Sequence, residues 1–221
     1  KRSLAAGSAA MLTPHIIPGS ALGADGGVAP SERVTIAMLG VGRQVIAYNL
    51  RLFLQEPDCQ VVALCDPDRW RLEVTNERIC SIYGAKRQCG NFGDVARYTD
   101  FRDVLARDDI DAVMISTPDH WHAPMAAAAI EAGKDVALEK PITRSIAEGR
   151  YLADLVAKHN RIFRVDSEFR SIPTFHRAVE LVRNGRIGQL HTIRTGVPHG
   201  THQSPEFVAM EVPDELDYEM W

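Results

Sequence analysis

Val34-Thr35-Ile36-Ala37-Met38-Leu39-Gly40-Val41-Gly42-Arg43-Gln44-Val45 is the stretch that decides the fold. Its first six residues form a short apolar run with β-branched side chains that stops at a glycine, as a strand buried in a parallel sheet does. Helix-forming residues follow, and a strand that turns through glycines into a helix offers backbone N–H groups to a dinucleotide pyrophosphate. Gly40 permits the tight turn, and Gly42 lets the backbone approach phosphates. Val45 stands where a third glycine would allow close packing of helix on strand, so this helix is expected to tilt or stand off slightly. Taken alone, the segment reads equally well as a plain strand-to-helix turn.

Asp66 shifts that balance. It closes the second apolar run, Gln60–Cys65, and lies 24 residues beyond Gly42. An acidic residue near that spacing meets the adenosine ribose, accepting hydrogen bonds from its hydroxyls and repelling a 2′-phosphate. The reading is therefore NAD in preference to NADP, with Arg43 and Arg69 as nearby cations that blur the preference. The competing explanation of Asp66-Pro67 is a common turn at a strand end.

Outward from this pair, strand and helix patterns alternate. A polar helix is expected from about 68 to 83, ended by Gly84, and a short third strand at 96–98. Asp100 is placed to cap a helix over 101–107, with Asp103 in its first turn. A fourth strand spans 111–115, a helix 124–132 has Pro124 early and Gly133 after its end, and a fifth strand spans 135–138. The next helix, 145–160, places Ile146, Gly149, Leu152, Leu155 and Val156 on one face, and a sixth strand follows at 162–165. Strands separated by helix-length segments mean parallel βαβ units, so the fold class is α/β, a doubly wound parallel sheet of Rossmann type. Past Asp166 come an amphipathic helix (Phe175, Val179, Val182) stopped by Gly185, an extended stretch over 189–195 and a proline-punctuated tail. The organisation expected is a leading segment over 1–30, the nucleotide domain over 31–166, and the incomplete start of an α/β substrate domain over 167–221.

Composition fits this picture. Among 221 residues, 45% are hydrophobic and 24% charged, ordinary for a soluble domain, and a net charge of −4 argues against a nucleic-acid partner. Cys59, Cys65, Cys80 and Cys89 show no C-x-x-C pair, so neither a zinc ribbon nor a disulfide framework is expected. The first thirty residues begin Lys1-Arg2, continue through an Ala/Gly-rich middle and end in small residues, the pattern of an export signal. The middle is too weak for a membrane span, and a disordered arm is the alternative.

Two clusters carry chemistry. Ser116-Thr117-Pro118-Asp119-His120-Trp121-His122 follows the fourth strand, where open α/β sheets gather ligands. His120 and His122 form an H-x-H pair without a nearby third ligand, so no metal is assigned; the choice is between a packed loop pair and a wall for nicotinamide ribose and substrate. Glu139-Lys140-Pro141 follows the fifth strand and aims a lysine at the same crevice, suited to moving a proton at a substrate hydroxyl. A surface lysine in a turn is the competing reading.

These segments, with Arg186-Ile187-Gly188 further on, stand in an order that resembles the Gfo/Idh/MocA oxidoreductases over residues 33 to 195. The resemblance implies an NAD-dependent oxidoreductase acting on a sugar or cyclitol hydroxyl. It implies that Lys140 is catalytic, and that Gly40, Gly42, Arg43, Asp66, Thr117, Pro118, His120 and Glu139 bind cofactor. It also points to substrate contacts at His122 and Arg170. It further implies a twin-arginine export signal with periplasmic location, and a homo-oligomer in the complete form. NAD-dependent glycoside hydrolysis by transient oxidation, or a non-catalytic NAD-binding fragment, stays open as an alternative.

Overall fold

A computed structural model describes residues 28–86, 95–196 and 208–221. Six strands, β1 (Val34–Leu39), β2 (Cys59–Cys65), β3 (Ala96–Tyr98), β4 (Ala112–Ile115), β5 (Asp135–Leu138) and β6 (Phe163–Val165), form one sheet. The order is β3-β2-β1-β4-β5-β6, and every pairing is parallel. This is the doubly wound dinucleotide-binding order, with a topological switch between β1 and β4.

Period-two alternation in β1 divides the core. Ala37 and Leu39 face one layer with Val113, Ile115, Val136 and Leu138. That layer is covered by α3 (Phe101–Leu105), α4 (Asp119–Glu131) and α5 (Ile146–His159). Ile36 and Met38 face the other, under α1 (Leu50–Gln55) and α2 (Arg69–Lys86). Both faces are dry, so the central strands read as continuous apolar runs.

Helix ends follow local chemistry in several places. The Asp100 side chain accepts from the Arg102 N–H and caps α3. Ser145 and Glu148 form a reciprocal capping box at the start of α5, and Asn160 ends that helix at φ 51°. Ile146 sits beside that cap, 94% exposed, rather than on the buried face with Leu152 and Leu155.

Two helix boundaries are corrected. The Gly84 position does not stop α2, which continues to Lys86; without left-handed φ a helical glycine weakens a helix but does not end it. The fourth helix begins at Asp119, with Pro118 as its N-cap, so Pro124 lies inside it and the Asp-His-Trp-His run is its first turn. The stretch over 189–195 pairs with no strand of the sheet, and its Leu190 and Ile193 are exposed. The helix α6 (Pro173–Arg183) also leaves Phe175 and Val179 about half exposed. Residues 1–27, Cys89, His199 and His202 lie outside the described residues.

Candidate functional site

Each parallel ladder continues one residue past its strand. The main-chain N–H of Asp66 donates to Tyr98, that of Gly40 to Cys65, that of Ser116 to Leu39, that of Glu139 to Ile115 and that of Asp166 to Leu138, at 2.7–3.1 Å. Sheet pairing thereby sets Asp66, Gly40, Ser116, Glu139 and Asp166 in one row along the carboxyl edge. Residues from five distant points in the sequence become neighbours through backbone bonding alone.

The middle of the row opens into a cleft of about 550 Å³, within the ~300–1,000 Å³ usual for ligand sites. Its lining includes Gly40, Gly42, Arg43, Asp66, Thr117 and Pro118, which the sequence singled out. Gly40 has φ +80°, and a Cβ there would stand 2.8 Å from Thr117 Cγ2 and 2.9 Å from the Ser116 carbonyl carbon and oxygen. The loop can therefore lie against β4 only as glycine. At Gly42 a Cβ would meet only Arg71 Nη1, at 3.2 Å. Asp66 is nearly buried: Val41 N–H donates to its Oδ2 (2.8 Å) and Asp68 N–H to its Oδ1 (3.0 Å). Burial pushes its carboxyl above the ordinary carboxylate value, against these two N–H donors and the Arg71 guanidinium. The same carboxylate thus ties the glycine loop to β2.

Val45 alters the helix that follows. Its side chain is fully buried, and the turn Val45–Asn49 is π-helical before α1 begins. The wider turn thus begins at the valine that stands in the third glycine position. It also brings Asn49, an unheralded polar residue, into the interior. Asn49 Nδ2 donates to Glu139 Oε1 (2.9 Å) and to Ser116 Oγ (3.2 Å), while Glu139 Oε2 accepts from the Lys140 N–H (3.2 Å). A continuous set of contacts so runs from the cleft wall at Ser116 to the backbone of Lys140.

Lys140 is exposed and Glu139 buried, and neither is among the residues that line the cleft. His120 is exposed on the first turn of α4, its ring 6.1 Å from Trp121. Arg170 is exposed on a 3-10 turn, Glu168–Arg170, away from the cleft lining. His122 corrects an expectation: it is 1% exposed, with Nδ1 2.6 Å from the Pro141 carbonyl oxygen and Nε2 3.0 Å from that of Thr117. Its ring is packed between the two loops and is not among the residues that line the cleft.

Several residues in or beside the cleft were not singled out from the sequence. Arg71 reaches over Gly42 and pairs with Asp68 at 3.0 Å. Asp166 ends the row beside Glu139, its carboxyl raised by burial and then by the Glu139 charge. Leu216, Met220 and Trp221 line the cleft from the far end of the chain. A second acid after a strand repeats the Asp66 pattern and is legible for Asp166; nothing local marks the other residues.

The glycine cradle, the carboxylate at the end of β2 and the cleft between them define a dinucleotide-binding Rossmann domain. Residues 34–167, more than half of the chain, match the Gfo/Idh/MocA oxidoreductase family with NAD-binding Rossmann fold, and the chain belongs to that family. It is 35% identical over 103 residues to levoglucosan dehydrogenase of Pseudarthrobacter phenanthrenivorans, covering 47% of this chain and 26% of that protein. It is 35% identical over 125 residues to a glycosyl hydrolase family 109 protein of Shewanella sp. strain ANA-3, covering 57% of this chain and 26% of the relative. Scyllo-inositol dehydrogenase from Lactobacillus casei, solved with NAD(H) and scyllo-inositol, aligns with TM-score 0.60 and 25% identity. That alignment covers 71% of this chain and 42% of the other. The matched region thus spans about a quarter of the curated relatives and under half of the structural one.

Proposed function

We propose that this chain forms the cofactor domain of an NAD-dependent oxidoreductase that acts on a hydroxyl of a sugar or cyclitol. The carrying observation is the braced path Ser116–Asn49–Glu139–Lys140, which fixes a lysine backbone relative to a glycine-cradled cleft. The residues present fit NAD: Gly40 packs the loop tightly against the end of β4, Gly42 leaves room on the cleft side, and the buried Thr117 Oγ1 has no protein partner. Bound NAD supplies hydride acceptance. The backbone around Gly42 and the start of the helix hold the phosphates, and Asp66 takes the adenosine ribose hydroxyls. Lys140 moves the proton at the substrate hydroxyl as its carbon is oxidised. Thr117, Pro118 and His120 flank the nicotinamide end, and Arg170, outside the cleft of this domain, is assigned to substrate by the family resemblance.

Lys140→Ala in the complete protein is expected to lower turnover by roughly 10²–10⁴, the span of general acid–base catalysis, with NAD affinity unchanged. Equal turnover by variant and parent refutes the assignment. Similarity to a family 109 glycosyl hydrolase supports a second reading, glycoside cleavage with no net cofactor reduction. Release of an aryl leaving group without NADH accumulation selects that reading; NADH accumulation with a free sugar selects the first. Export to the periplasm through a twin-arginine signal belongs to the same proposal, tested by fractionating cells that carry Lys1-Arg2 or its Lys-Lys replacement.

A further inference from the structure

The segment from Pro213 to Trp221 lies across the nucleotide domain. Leu216 pairs with Asp68 as an antiparallel bridge, the Asp217 N–H donates to the Pro67 carbonyl (2.9 Å), and the Arg69 N–H donates to that of Glu215 (3.0 Å). At its other end the Trp121 Nε1–H donates to the Trp221 main-chain oxygen (3.3 Å). It is therefore anchored both on the loop after β2 and on the first turn of α4, the two banks of the cleft. Asp217 folds the end back on itself, accepting from the Met220 N–H through Oδ1 (3.1 Å) and from the Trp221 N–H through its carbonyl (3.0 Å). The Tyr218 ring stacks on Trp221 at 6.0 Å and 25°.

The side chains this segment gives the cleft are apolar. Leu216, Met220 and Trp221 face a space whose inner walls include Phe101, Trp121 and Met125. A flat heteroaromatic base suits an opening between an indole and a thioether, because its faces are apolar and its edges polar. The same segment commits a cation. Arg69 Nη2 donates to the Asp214 carbonyl (2.7 Å), while Arg71 is paired with Asp68. The two guanidinium groups that follow Asp66 in sequence are both engaged, one by the segment itself.

We propose that residues 213–221 form the outer wall of the adenosine end of the dinucleotide cleft, seating adenine against Trp221 and favouring an unphosphorylated ribose by holding Arg69 away. The inference rests on the dinucleotide reading and adds a binding element to it from the far end of the chain. Its chemistry is that of a nucleoside diphosphate, so ADP-ribose, 2′-phospho-ADP-ribose and nicotinamide mononucleotide are the probes.

Each probe is titrated calorimetrically into the full chain. Trp221→Ala is expected to weaken ADP-ribose roughly tenfold, as loss of one base–aromatic contact does, and to leave nicotinamide mononucleotide within twofold. Trp221→Phe, which keeps an aromatic face, stays within about threefold of the parent for ADP-ribose. Loosening the segment with Leu216→Ala plus Trp221→Ala narrows the preference for ADP-ribose over its 2′-phosphate at least threefold, and adding Arg69→Ala reverses that change. Unchanged or tighter ADP-ribose binding by Trp221→Ala overturns the proposal, the latter by showing a plug instead of a wall. Equal weakening of both half-ligands, or of both Trp221 variants, also overturns it. A parent that binds no ADP-ribose removes the dinucleotide reading itself, whereas a parent that binds alongside an indifferent Trp221→Ala removes only the wall.

Discussion

Gly40 and Gly42 look alike in sequence, yet the structure predicts opposite failures for their alanine variants. At Gly40 the added methyl meets the Ser116 backbone at 2.9 Å, which cannot rotate away, and the residue must hold φ +80°. Left-handed strain of roughly 1–2 kcal/mol and overpacking of roughly 1–3 kcal/mol together give about 2–5 kcal/mol. Against a total stability of about 5–15 kcal/mol, that shifts the denaturation midpoint visibly. At Gly42 the methyl meets only the end of a flexible arginine, and φ lies outside the left-handed region. Gly42→Ala is then expected to stay within about 1 kcal/mol of the parent, because alanine at a compatible position also restricts the unfolded chain. Its damage falls on the cleft, where the methyl stands in the approach to the phosphates and weakens NAD at least tenfold. Guanidinium melts of both variants, paired with NAD titrations, separate the two effects. A Gly40→Ala protein within 1 kcal/mol of the parent refutes the steric argument, as does a Gly42→Ala protein that binds NAD normally.

Asn49→Ala leaves a buried Glu139 oxygen without its donor and should lower stability by about 1–3 kcal/mol by chemical denaturation, whereas an unchanged midpoint would mean water replaces the amide. Asp66→Asn tests the buried carboxyl. Because burial raises its folded value above 3.8, the stability it contributes is complete below 3.8 and is lost as pH rises through the folded value. Relative to the parent, the asparagine variant should therefore gain stability from pH 4 toward 7 while losing NAD affinity; a flat difference across that range contradicts the assignment. Burial pushes the Cys65 thiol up to about 12, with the Asp66 charge adding to it, and burial does the same at Cys59. Iodoacetamide at pH 8 should leave both unmodified in the native protein, since only roughly one thiol in 10⁴ is ionised; mass mapping of rapid Cys65 alkylation would contradict this.

The sheet was legible because its four inner strands carry apolar runs bounded by turn residues, while the edge strands β3 and β6, each split by an arginine, follow from the spacing of the helices around them. Val34–Leu39 and Asp135–Leu138 fall where the pattern places them. Helix boundaries were less so. Pro124 reads as a first-turn proline, yet α4 begins five residues earlier because Pro118 can supply the N-cap position and Asp119 favours a helix start. Of the site, Gly40, Gly42, Asp66 and Thr117 announce themselves by position after strands. Asn49 does not, since it is buried at the end of a π turn that no local pattern encodes. Trp221 meets Trp121 across a hundred residues of chain, a separation no local pattern encodes.

The imidazole of His122 sits between the turn after β4 and the turn after β5, one ring nitrogen against each carbonyl oxygen, and its single N–H in the neutral form ties it to one of them. A leucine of similar bulk would fill its hole and still leave the Thr117 and Pro141 oxygens facing hydrocarbon. Two turns freed to drift apart would carry Pro118 and Lys140 with them, so one buried ring sets the spacing between the loop after β4 and the loop after β5.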